Sequence, residues 1–143
     1  MTGDKGGYTP GAYLVPLNRP DHPRAIIRIL GAGVCGGLII WLSLIPEPVQ
    51  LVSFSGWSKV QHAAAYGVFT LVIGWACAAL PRLSGCRWLL AIGVSVAFGG
   101  LMEGAQYFFT STRHARFADL LADVTGAVLA WSAVKIAAIR AGK

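Results

Sequence analysis

Apolar residues run along this chain in four blocks, about 25–45, 59–80, 88–109 and 117–139, separated by short stretches rich in turn formers. Each block is close to the roughly 20 residues that a helix needs to cross a bilayer. The connections read PEPVQLVSFSG, PRLSGCR and TSTRHAR. Links this short oblige successive helices to run in opposite directions. The pattern predicts an all-α membrane protein, a four-transmembrane-helix antiparallel bundle over residues 25–139. A polar tail rich in Gly and Pro precedes it over residues 1–24.

Composition sharpens this picture. Of the 143 residues, 55% are hydrophobic and only 13% charged, with a mean hydropathy of +0.61. A soluble domain carries about 25% charged residues, so half of the usual polar surface is missing. The tail is not expected to be a signal peptide, because no A-x-A-like site follows the first apolar block, which is expected to remain as an anchor. The length suits one domain.

Basic residues set the expected orientation. Lys5, Arg19, Arg24, Arg28, Arg82, Arg87, Lys135, Arg140 and Lys143 fall on one face of such a bundle, and Lys59, Arg113 and Arg116 on the other. The excess marks the cytoplasmic side, so both termini are expected in the cytoplasm, with the protein in the bacterial inner membrane. The net charge of +6 is accounted for by topology and anionic lipid, and no nucleic-acid partner is implied. Cys35, Cys77 and Cys86 form no CxxC and no framework of pairs; packing is their expected role. Gly33 with Gly37, Gly100 with Gly104, and Ala122 with Gly126 are small-xxx-small pairs that allow close helix approach.

Polar residues inside the blocks follow the helical period. Lys59, His62 and Tyr66 share one face of the second helix, Glu103 and Gln106 one face of the third, and Arg116, Asp119 and Asp123 one stripe of the fourth. At about 1.5 Å of rise per residue, the three stripes reach one level in the outer half of the membrane. Lys59, Arg113 and Arg116 balance Glu103, Asp119 and Asp123 in charge. Ionisable groups cost about 2.5 to 3.5 kcal/mol each near the bilayer centre, so pairing, hydration or protonation of Glu103 or Asp123 must offset them. An isolated polar group can simply fix helix register. Convergence from three helices points instead to a polar site opening outward.

The stretches SLIP (Ser43–Pro46), GWSKVQHAAAYGVF and EGAQYFFTSTRHARFADLLADVTGA carry a resemblance to the VanZ-like family of small bacterial membrane proteins. Lys59, His62 and Tyr66 match the family's Lys-x-x-His pattern and the tyrosine after it, and Glu103 with Gln106 its Glu-x-x-Gln pair. Arg113, Asp119 and Gly126 match its last motif. The likeness covers about Trp41 to Trp131. Ser58 stands where the family has an aspartate, leaving Lys59 without a local partner, and Asp123 where asparagine is common. Arg116 is placed to compensate the added carboxylate. The resemblance implies a cell-envelope membrane protein; the family's named member is linked to low-level teicoplanin resistance, without an established reaction.

The function expected is an outward-facing polar site that binds an anionic envelope lipid or precursor. Lys59, Arg113 and Arg116 would hold the anionic group; His62, Glu103 and Asp119 are the candidates for proton transfer. Tyr66, Gln106 and Asp123 complete the ligand-binding set. No GxSxG, HExxH or nucleophile–base pair occurs, so whether the chain is an enzyme stays open. No cofactor is expected, and no metal, since one histidine without ligand spacing is a weak signal. Two other readings compete: an accessory or assembly subunit, or homo-oligomer, with the cluster as an interhelical lock, and a small transporter or scramblase.

Overall fold

The computed structural model of the protein describes residues 22–45, 56–110 and 116–142. The greater part of the polar tail, the loop residue Glu47, and Arg113 and His114 lie outside the described residues. Four long helices account for almost everything else: α1 (His22–Leu44), α2 (Trp57–Cys77), α3 (Arg87–Phe109) and α4 (Phe117–Arg140), with a single 3-10 turn at Pro81–Leu83. All four are long and apolar enough to cross a membrane, which supports a multi-pass membrane protein.

The ends of the helices have local causes. Gly56 precedes α2 at φ 107°, a left-handed conformation open to glycine, and its carbonyl accepts from the backbone N–H of Lys59 and Val60. That start lies two residues ahead of the expected one. At the other end α2 stops at Cys77 rather than at Leu80. Pro81 excludes the helical conformation from the residue before it, and Leu80 is extended at φ −110°, ψ 97°. Arg116, extended at φ −125°, ψ 121°, stands immediately before α4.

The direction of the helices alternates. Gln106, near the end of α3, donates from Nε2 to the carbonyl of Ser43, near the end of α1, at 3.2 Å. His62, near the start of α2, meets Asp123, near the start of α4. Arg116, immediately before α4, meets Glu103 near the end of α3, so the ends of α1 and α3 and the starts of α2 and α4 share one end of the bundle, as an antiparallel arrangement requires.

Packing is tightest between α2 and α4, with α3 against both, whereas α1 lies against α2 and α3. The glycines explain the closeness. A Cβ on Gly126 would collide with the carbonyl oxygen of Ala63 and come within 2.8 Å of its Cα, and one on Gly67 would lie 3.2 Å from the carbonyl oxygen of Gly126. Backbone thus meets backbone at the α2–α4 crossing, as small residues permit in lipid. Gly74 makes room for the Trp88 ring. The other two glycine pairs do not behave as expected: a Cβ on Gly33, Gly37, Gly100 or Gly104 would meet nothing within 4 Å. None of these four makes a close helix contact among the described residues, a matter of helix rotation that spacing alone does not encode.

The distribution of polarity is inverted relative to a soluble protein. Large apolar side chains such as Leu30, Trp41, Leu89, Leu101 and Leu129 cover the outside, while Thr70, Ser95, Glu103, Gln106, Asp119 and Asp123 are buried. The apolar part of the interior is small: Ile39, Tyr66 and Phe69, supported by Cys35, Ile73, Phe98 and Met102.

Candidate functional site

Polar side chains from three helices meet near one end of the bundle. His62 lies five residues into α2, Glu103 six residues before the end of α3, and Asp123 six residues into α4. At about 1.5 Å per residue they stand roughly 8 to 9 Å from that end, at a common level. Asp119 sits one turn nearer the end.

His62 Nδ1 is 2.9 Å from Asp123 Oδ1. An imidazole N–H donating to a carboxylate fits this geometry, with the protonated nitrogen assigned from the acceptor it faces. The ring of His62 also stacks on that of Tyr66, one turn further along α2, with centroids 6.2 Å apart and planes 9° apart. Tyr66 in turn makes an edge contact with Phe69. His62 is thereby held on two sides, and its Nε2 is left for another partner.

Glu103 is fixed differently. Its Oε2 accepts the backbone N–H of Arg116 at 2.9 Å, so the residue ahead of α4 closes over the end of α3. The start of α4 carries the partial positive charge of its helix dipole, and Asp119 in its first turn also benefits from it. Asp123 packs against bare backbone: a Cβ on Gly99 would lie 2.6 Å from Asp123 Oδ2 and 3.3 Å from Tyr66 Cε1.

Three buried polar atoms in this cluster have no hydrogen-bond partner among the described residues: Tyr66 Oη, Glu103 Oε1 and Asp123 Oδ2. Buried polar groups are normally satisfied, and an unsatisfied one costs about 1–3 kcal/mol. The three lie together on one cluster among the described residues. One ligand atom each from His62, Glu103 and Asp119 lie within 4.8 Å of one another.

The structure therefore brings together His62, Tyr66, Glu103, Asp119 and Asp123. Gln106 is buried beside them but spends its amide on the Ser43 carbonyl, tying α3 to α1. Lys59 and Arg116 are at the same end and exposed; Arg113 lies outside the described residues. The expected pairing can be followed only for Lys59 and Arg116. Among the described residues no lysine or arginine pairs with Glu103, Asp119 or Asp123. The contact present is the His62–Asp123 hydrogen bond, and Arg116 reaches Glu103 through its backbone N–H. An N-cap side chain on the surface has water as a competing partner, whereas the backbone N–H ahead of a helix has no helical acceptor of its own.

Deeper in the bundle the Thr70 hydroxyl donates to the Tyr66 carbonyl at 2.8 Å and lies 2.9 Å from the Ser95 hydroxyl, which can donate to it. Both residues are fully buried. Thr70 is eight residues after His62 on the same face of α2, so this pair continues the stripe toward mid-membrane. Gly99 and Ala63 contribute backbone and left no sequence signal of a role. Comparison with family models, with curated proteins and with solved structures returns no match for the chain.

Proposed function

We propose that this chain is a VanZ-like inner-membrane protein of the cell envelope that binds the head of an anionic envelope lipid or lipid-linked precursor. The observation that carries this reading is the set of unpartnered buried atoms, Tyr66 Oη, Glu103 Oε1 and Asp123 Oδ2. They suit a head group rich in hydroxyl or amide N–H: the carboxylate oxygens accept and the phenol donates. The exposed Lys59 and Arg116 at the same end, with Arg113, suit its phosphate or carboxylate. An open apolar groove lined by Gly37, Ile40, Trp41, Leu44 and Ile45 adjoins Ser43, the residue that Gln106 ties to α3. It offers an apolar surface near that end of the bundle to the hydrocarbon chain of such a ligand.

The orientation proposed puts this end outward and both termini in the cytoplasm. In its support, the opposite end carries Arg28 over the Trp75 ring at 5.5 Å and Arg87 over the Trp88 ring at 5.4 Å. An excess of basic side chains marks a cytoplasmic face. His62, Glu103 and Asp119 remain the groups placed for proton transfer, should the bound head group react.

A second reading has its own observation. The bonds Gln106–Ser43, Arg116–Glu103 and His62–Asp123 each join two helices, as an interhelical lock in an accessory subunit would. A fully satisfied cluster would suit that role; among the described residues this one keeps three unpartnered atoms.

Native mass spectrometry of the full chain, extracted from its own membranes, tests the proposal. A phosphorylated or carboxylated lipid is expected to stay bound to the wild type and to be depleted in Glu103→Gln and Lys59→Ala, both still inserted as helical protein. Equal retention in all three, or recovery of a stoichiometric protein partner without lipid, would overturn it in favour of the accessory reading.

A further inference from the structure

The cluster has a feature that a head-group site does not require. His62 Nδ1 is committed to Asp123, an arrangement in which the opposite ring nitrogen presents its lone pair. Histidines that hold metals are oriented in this way, with the other ring N–H given to a carboxylate. The remaining donors are also available. Glu103 has one oxygen on the Arg116 N–H and the other, Oε1, buried without a partner. Asp119 brings its carboxylate to the same point, so that ligand atoms of His62, Glu103 and Asp119 lie within 4.8 Å of one another.

We propose that His62, Glu103 and Asp119 hold one divalent cation, with Asp123 as the residue that positions His62. Metal–ligand bonds of about 2.0 to 2.2 Å place neighbouring ligands about 3 to 3.4 Å apart. An inward turn of about an ångström by side chains anchored on three separate helices closes that gap. The donor set is one imidazole and two carboxylates, which suits Zn2+ or Mn2+ and not the thiolate-seeking Cu+. With three protein ligands, positions on the metal stay open for an exogenous oxygen. Charge points the same way. Glu103, Asp119 and Asp123 are buried together, and no lysine or arginine among the described residues pairs with them. A divalent cation would supply positive charge that no described lysine or arginine brings to them.

The sequence contains no HExxH or similar spacing because each ligand comes from a different helix. A site assembled this way appears only when the helices pack.

The test uses the full chain bearing a tag without histidine, purified in nanodiscs, stripped with chelator and titrated with Zn2+ alone and Mn2+ alone. No lipid ligand is added, so the outcome is independent of the head-group reading. One equivalent per chain is expected, unaffected by replacing His22 and His114. Glu103→Gln and Asp119→Asn should weaken binding more than tenfold and His62→Ala further still, while Asp123→Asn should weaken it by about 10- to 100-fold. Bound Mn2+ in the wild type should show electron spin echo modulation from one imidazole nitrogen, changing on 15N-histidine labelling, a readout that needs no variant to fold. Absence of one-equivalent binding, undiminished affinity in helical Glu103→Gln, or bound Mn2+ without nitrogen modulation would overturn the site.

Discussion

The two oxygens of Asp123 live in different surroundings. Oδ1 takes the His62 ring nitrogen at 2.9 Å, while Oδ2 rests against the backbone at Gly99 without a partner. Buried at 1% exposure, this carboxylate depends on the histidine. Removing one member of such a pair leaves the other desolvated and alone, which destabilises more than removing both. A double-mutant cycle of His62→Ala and Asp123→Ala, read by reversible unfolding in mixed detergent, should therefore give a coupling energy of about 0.5 to 3 kcal/mol. A coupling near zero would mean that the contact contributes nothing. Lys59 and Arg116 belong to a different class: both are exposed, so their substitution should change ligand capture and leave stability nearly unchanged.

Among the elements, α2 and α4 form the rigid pair, and their contact is written in backbone. The Ala63 carbonyl occupies the space that a Cβ on Gly126 would need. Gly126→Ala is expected to force the helices apart and to cost about 1 to 3 kcal/mol, the range for overpacking. Gly104→Ala, whose Cβ would meet nothing within 4 Å, should stay within about 0.5 kcal/mol of wild type. Thermal unfolding of the two variants side by side separates them, and equal losses would refute the crossing. The displacement matters beyond stability, because α2 carries His62 and α4 carries Asp119 and Asp123. Here the sequence was only partly readable. Its four helices and their polar stripes followed from period and hydropathy. Of its three small-residue pairs, Ala122 with Gly126 lies at a contact, whereas Gly33 with Gly37 and Gly100 with Gly104 make no close helix contact among the described residues.

For the whole molecule, the arrangement is a polar end and a basic end joined by helices whose outer faces are apolar. With the orientation proposed, the turn bearing Cys86, an exposed thiol, faces the cytoplasm and Lys59 faces outward. In a chain with Cys35 and Cys77 replaced by serine, a membrane-impermeant maleimide applied to intact cells should leave Cys86 unlabelled. In a cysteine-free chain, Lys59→Cys should react. The reverse pattern would turn the protein over and place the polar cluster on the cytoplasmic side.

What the sequence determined by itself was everything that depends on local repetition. Runs of about 20 apolar residues imply membrane-spanning helices, and a period of 3.6 assigns His62, Tyr66, Glu103, Gln106, Asp119 and Asp123 to the faces that proved buried or partly buried. Rotation of each helix about its axis, and the choice of partner within the cluster, depend on contacts between segments distant in the chain. Only the tertiary structure could show that Asp123 takes His62 rather than a nearby arginine. The same holds for Glu103, which accepts the Arg116 backbone, and for Gly99, which makes room for a carboxylate. Charge balance along the sequence says which signs are present. Packing decides which atoms are left over, and in this protein those atoms mark the site.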